Sequence, residues 1–173
     1  MKTNKILVLV HDHAEDLELW YPVYRIREEG YLVHMASEVR GMLFKGKYGV
    51  PYTSDVSWDD VEADDYDGLL IPGGWAPDKM RRFERVKKLV RDFDAAGKPI
   101  GQICHAGWVT ISAGIMDGVK VTSTIGIMDD MKNAGATWIN EPVVVDENIV
   151  SSRKPEDLTQ YMVAFINLLE QRK

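Results

Sequence analysis

A chain of 173 residues, 45% hydrophobic and 28% charged, is long enough to bury about two-thirds of its unfolded surface around one core. Its composition excludes disordered, collagenous and disulfide-scaffold classes, and one domain over residues 1–173 is expected. With 27 acidic residues against 21 basic ones and a net charge of −6, it offers no cationic field to gather nucleic acid. The strongly apolar N-terminal run, Ile6 to Val10, is too short for a signal-peptide core or a membrane span; no membrane partner is expected, and the cytoplasm is the expected location. The single cysteine, Cys104, cannot close an internal disulfide.

Lys5 to Val10 (KILVLV) reads as a strand covered on both faces. From Asp16 the apolar pattern becomes helical up to Gly30, a stop signal, with Pro22 in the first turn or two. Tyr31 to Ala36 reads as the next strand of a βαβ unit, and the glycine-punctuated stretch from Glu38 to Asp59 as a small hairpin excursion. Asp67 to Ile71 predicts a buried strand that ends in the tight turn Pro72-Gly73-Gly74, a candidate anion site. Val86, Leu89, Val90 and Phe93 mark an amphipathic helix stopped by Gly97 and Pro99.

Pro99 to Ile103 leads into Cys104, and the small and apolar residues from Ala106 to Ala113 predict strand, sharp turn, helix. Val119 to Thr122 and Val143 to Val145 read as further strands, the latter in a hairpin with Ile149 and Val150. Pro155 opens a last helix through Leu158, Tyr161, Met162, Phe165, Ile166 and Leu169. Alternating strands and helices indicate an open α/β sandwich, in which ligands bind at the carboxyl ends of strands. The loop after Val10, the Gly73-Gly74 turn and Cys104 are therefore expected to share one cleft.

A thiol at a strand end just before a helix receives the positive end of the helix dipole, which favours the thiolate. Unpaired cysteines are also common inert core fillers. The context favours reactivity: His105 follows directly, and Gly101, Ala106 and Gly107 are small enough to permit a strained elbow. No histidine lies beyond His105, so triads that need a later histidine are excluded. His11-Asp12-His13 is an incomplete metal set, and no glycine-rich nucleotide motif is present; no metal and no cofactor is expected. Glu15, Asp16 and Glu18 read as a first-turn cluster favoured by the dipole, one carboxyl of which could reach the thiol.

The chain resembles the ThiJ/PfpI superfamily, specifically its PfpI-type intracellular cysteine proteases and deglycases, over almost its whole length. The resemblance rests on Ala14-Glu15-Asp16, Ile71-Pro72-Gly73-Gly74 with Ala76-Pro77, Lys98-Pro99 before Ile103-Cys104-His105, and Ile111-Ser112-Ala113-Gly114. It continues through Val121-Thr122-Ser123, Asn133-Ala134-Gly135-Ala136, Val143-Val144-Val145-Asp146 and Ser152-Arg153 to Pro155 and Asp157-Leu158.

The resemblance implies a flavodoxin-like, three-layer sandwich with a mostly parallel sheet and helices on both faces. It implies Cys104 as nucleophile, His105 as its partner, the Gly74 and His105 amides as an oxyanion hole, and Glu15 as the family glutamate that contacts the thiol. Asp78 stands where the family places an acid that reaches His105 of a neighbouring subunit, so a dimer or hexamer is implied. The implied substrates are peptides, or glycated amines and small reactive carbonyls. The chain departs from the usual Cys-His-Gly-Pro at Ala106-Gly107-Trp108, and from the more common Glu at Asp78. Three readings stand at this point: a cysteine hydrolase protecting against stress, a redox-sensing stress protein or chaperone with an oxidisable Cys104, and a binding module with a buried cysteine.

Overall fold

The computed structural model describes residues 3–172; residues 1, 2 and 173, the extremities of the expected domain, lie outside that description. Strand β1 (Lys5–Leu9) is followed by helix α1 (Asp16–Glu28) and strand β2 (Leu32–Ser37). Ile6, Leu7, Val8 and Leu9 are buried, as an unbroken apolar run requires of a central parallel strand. Pro22 sits inside α1, and Gly30 takes φ +81° just past its end, a left-handed conformation that glycine adopts without strain.

The predicted excursion is a hairpin of β3 (Leu43–Lys45) and β4 (Pro51–Thr53), after which β5 (Val56–Ser57) returns to pair with β2. Its tip is tied down by one buried carboxylate. Asp16 accepts from Tyr48 N at 2.8 Å and from Val50 N at 2.9 Å, and Lys47 N donates to Ala14 O at 2.8 Å. A Cβ at Gly46 would lie 2.2 Å from Asp16 Oδ1, so only glycine lets the carboxylate come this close.

Next come β6 (Gly68–Ile71), α2 (Ala76–Met80), α3 (Glu84–Ala95), β7 (Ile100–Ile103) and α4 (Gly107–Ala113). The chain ends with β8 (Lys120–Val121), α5 (Met128–Asn133), β9 (Thr137–Trp138), β10 (Val143–Asp146), β11 (Ile149–Ser152) and α6 (Leu158–Gln171). The short helices α2 and α5 carry too few residues to show an apolar period in sequence. β8 is a strand as expected, but it pairs with β9 in a separate two-stranded parallel sheet.

The seven-stranded main sheet has the order β10-β11-β7-β6-β1-β2-β5, parallel except for β10. Helices α1 and α6 pack together on one face, and α3 and α4 on the other, giving the expected flavodoxin-like α/β sandwich. α6 lies directly on the strand backbones: a Cβ at Gly101 would meet Tyr161 Oη at 2.4 Å, and one at Gly68 would meet the Phe165 ring at 3.2 Å. Among the described residues no helix is long and apolar enough to cross a membrane.

Asp16→Ala removes a charged acceptor from two backbone donors, and hydrogen bonds to charged groups contribute about 1.5–3 kcal/mol each. The variant is expected to unfold at lower denaturant, by about 2 kcal/mol, with faster amide exchange at Tyr48 and Val50. Unchanged exchange at those amides would show that the tip is held by something else.

Candidate active site around Cys104

The strand order places β7, β6 and β1 side by side, so the three strand ends singled out in the sequence do converge. β7 ends at Cys104, which takes φ +60°. A non-glycine residue there is strained by on the order of 1–3 kcal/mol and persists only where its surroundings hold it. Here the holding group is buried Gln102, whose Oε1 accepts from the Thr110 hydroxyl at 2.6 Å, locking β7 to α4. Gly107 is needed behind the elbow, because a Cβ would lie 2.7 Å from Met131 Sδ. Ala106 and Gly107 keep the turn small.

The glycine turn after β6 closes over the thiol. A Cβ at Gly73 would stand 2.3 Å from Glu18 Oε2 and 2.7 Å from Cys104 Cβ. Gly74 has φ +75° and forms an antiparallel bridge with Ala14, which joins this turn to the loop after β1. The N–H groups of Gly74 and His105 face the Cys104 sulfur and favour its thiolate.

The acid beside the thiol is Glu18, not Glu15. The Glu15 carboxyl caps α1, accepting from Glu18 N at 2.8 Å, and so turns away from the sulfur. Glu18, one helical turn later on the buried face, is 2% exposed, accepts from Gly73 N at 2.9 Å and lies against Cys104. Burial, then the nearby charge of Glu15, pushes the Glu18 carboxyl up to about 8, so at neutral pH it holds its proton.

Burial, then the charge of an ionised Glu18, pushes the Cys104 thiol up to about 12. At neutral pH Glu18 is uncharged, so that repulsion is absent. What then opposes burial is the pair of amides.

His105 Nδ1 lies 3.3 Å from Cys104 Sγ. Burial, and then the charge of Lys47, holds its pKa below the usual histidine value, so its neutral ring can accept a proton at pH 7. Lys47 rides on the hairpin tip that Asp16 anchors, and nothing in its sequence neighbourhood marks it as a cleft residue. Glu18, by contrast, had a signal: it is an acid within the buried stripe of Leu19, Pro22, Val23 and Ile26.

Asp78 stands in the first turn of α2 and pairs with Arg82. Among the described residues no hydrogen bond or ion pair joins His105 to a carboxylate. His11 and His13 do not converge: His11 Nε2 faces Glu38 Oε1 at 3.6 Å and His13 Nδ1 faces Asp12 Oδ2 at 3.4 Å. No group of three or more His, Cys, Asp or Glu among the described residues is arranged to hold a metal ion.

Residues 4–168 match the family model for the DJ-1/PfpI family. The chain belongs to the DJ-1/PfpI family. It is 47% identical over 165 residues to a deglycase of Thermococcus kodakarensis, covering 95% of this chain and 99% of that protein. It is 39% identical over 169 residues to the protein/nucleic acid deglycase 2 of Escherichia coli, covering 96% and 98%. Among solved structures it superposes at a TM-score of 0.95, with 33% identity, on an Anabaena variabilis two-domain protein containing DJ-1/ThiJ/PfpI-like and ferritin-like domains. That match covers 98% of this chain and 48% of the longer one.

A carboxyl whose folded pKa is raised contributes stability that is complete below its unfolded value of about 4.3 and is lost as pH rises through the folded value. Glu18 should therefore weaken the fold between roughly pH 4.5 and 8, by on the order of 3 kcal/mol. His11 and His105, both lowered, act in the opposite direction, so the comparison must be with Glu18→Gln, which leaves them in place. Wild type is expected to lose more thermal stability than Glu18→Gln between pH 5 and pH 8. Parallel profiles would mean that the carboxyl is ionised throughout.

Proposed function

We propose that this member of the DJ-1/PfpI family is a cysteine-dependent deglycase acting on adducts of reactive carbonyls, with a protective role under stress. The observation that carries the reading is the left-handed Cys104 elbow, facing two backbone N–H groups, a buried protonated Glu18 and a neutral imidazole. The deglycase names of its relatives favour carbonyl adducts over peptides.

In this reading His105 takes the Cys104 thiol proton, the sulfur bonds to the carbon that carries the adduct as the C–N bond breaks, and the amine leaves with that proton from His105. For a free dicarbonyl, the C=O electron pair moves to oxygen, where the Gly74 and His105 amides meet the developing charge. A proton transfer from the carbinol carbon to the neighbouring carbonyl carbon then turns the thiohemiacetal into a thioester. One water cleaves it, releasing a 2-hydroxy acid and the thiol, so no external oxidant or reductant enters. A protonated Glu18 adds no negative charge beside the sulfur as its anion forms.

Among the described residues His105 has no carboxylate partner, and Asp78 lies on the short helix that follows the same glycine turn. We assign Asp78 to the His105 of a neighbouring copy, which makes the working form a homo-oligomer in the cytoplasm. An aspartate in place of the family's usual glutamate is one methylene shorter, so the two copies must approach more closely.

Cys104→Ser is expected to abolish release of amine from a methylglyoxal-treated peptide; full retained activity would sink the mechanism. Asp78→Asn is expected to lower kcat by about 10- to 100-fold. Mixing the Asp78→Asn and Cys104→Ser variants under conditions of subunit exchange should restore part of the activity, because some cleft then holds both Cys104 and Asp78. No recovery after verified exchange would place Asp78 outside the mechanism.

A further inference from the structure

Two side chains of the cleft take no part in the chemistry above. Trp75 directly follows Gly74, and its ring centroid lies 5.8 Å from that of His105. Trp108, in the first turn of α4, lies 5.0 Å from the same imidazole. Trp108 is fixed: its Nε1 donates to Asp130 Oδ2 at 2.8 Å, and the Arg81 guanidinium sits over its ring at 5.6 Å. Trp75 is 52% exposed, and among the described residues its indole has no hydrogen bond and no ring contact except with His105.

The third side of the imidazole is bare backbone. A Cβ at Gly126 would stand 3.9 Å from His105 Nε2, so glycine leaves that side of the ring uncovered by a side chain. The mouth of the cleft is therefore two indoles and a glycine around the group that serves the nucleophile. An indole left half in water gains when an apolar or aromatic group covers it.

The charged groups next to this mouth are of both signs: Arg81 occupies the Trp108 face, Asp130 accepts from the Trp108 indole, and Lys47 is close enough to depress the His105 pKa. Trp75 offers an uncharged aromatic face beside His105, which a neutral aromatic or bulky apolar substituent fits.

We propose that Trp75 forms a substrate subsite that selects dicarbonyls, and their adducts, bearing an aromatic or large apolar substituent next to the reacting carbonyl. Trp108 forms the fixed wall opposite. The proposal rests on Cys104 being the nucleophile, and Trp75 acts as a specificity residue that touches the substituent rather than the reacting atoms.

The test compares kcat/KM for phenylglyoxal with that for methylglyoxal, using Cys104→Ser as the blank and sedimentation velocity on every variant. Wild type is expected to prefer phenylglyoxal, and the ratio of the two values should fall about tenfold in Trp75→Ala. The change should sit mainly in KM for phenylglyoxal, because the contact is the same in ground and transition states. Trp75→Phe should restore most of the ratio.

A ratio unchanged in Trp75→Ala, with both dicarbonyls still consumed through Cys104, overturns this proposal and leaves the nucleophile reading intact. A fall in both rates together with a shift to smaller species assigns Trp75 to a contact between copies and also overturns it. If wild type consumes neither compound faster than Cys104→Ser, the dicarbonyl reading of the cleft and the subsite fall together.

Discussion

The cleft depends on one close packing: the Gly73 backbone pressed between the Glu18 carboxyl and the Cys104 side chain. Any side chain at position 73 would separate the two acids. With glycine there, a carboxyl and a thiol share one dry space, and burial makes a second negative charge costly. Burial raises both groups above neutrality, Glu18 to about 8 and Cys104 to about 12, while the Gly74 and His105 amides lower the cost of the sulfur anion. The strained Cys104 backbone serves the same end, because it turns the sulfur from the strand axis toward the glycine turn.

The rest of the fold supports that contact from three directions. The sheet order sets β7, β6 and β1 side by side, so three loops meet without a long connection. Gln102 and Thr110 clamp the elbow from behind. On the far side Asp16, two residues before Glu18 on the same helix, holds the hairpin tip that delivers Lys47. The first turn of α1 thus spends its three acids differently: Glu15 caps the helix, Asp16 anchors a loop and Glu18 enters the cleft.

Much of this was legible in the residues. The unbroken KILVLV run demanded a strand buried on both faces, the glycine pair after DGLLI demanded a tight turn, and a cysteine between a strand and a small-residue helix demanded an elbow. The identity of the acid was not. Glu15 and Glu18 are both first-turn carboxylates, and which of them points inward depends on the rotation of α1 about its axis, which its packing against α6 and the sheet decides. The helices α2 and α5 were also not legible, because six residues or fewer carry no readable apolar period.

By itself the sequence determined the order of strands and helices, the position of the elbow and the acidic, single-cysteine character of the chain, because periodicity and turn chemistry are local. Only the tertiary structure decided that Lys47, Trp75 and Trp108 flank His105, that β8 leaves the main sheet, and that among the described residues Asp78 pairs with Arg82 and not with an imidazole. Lys47 and Trp75 meet His105 from far away in sequence, and that approach and the pairing of β8 follow from strand order and helix rotation, which no short stretch of residues encodes.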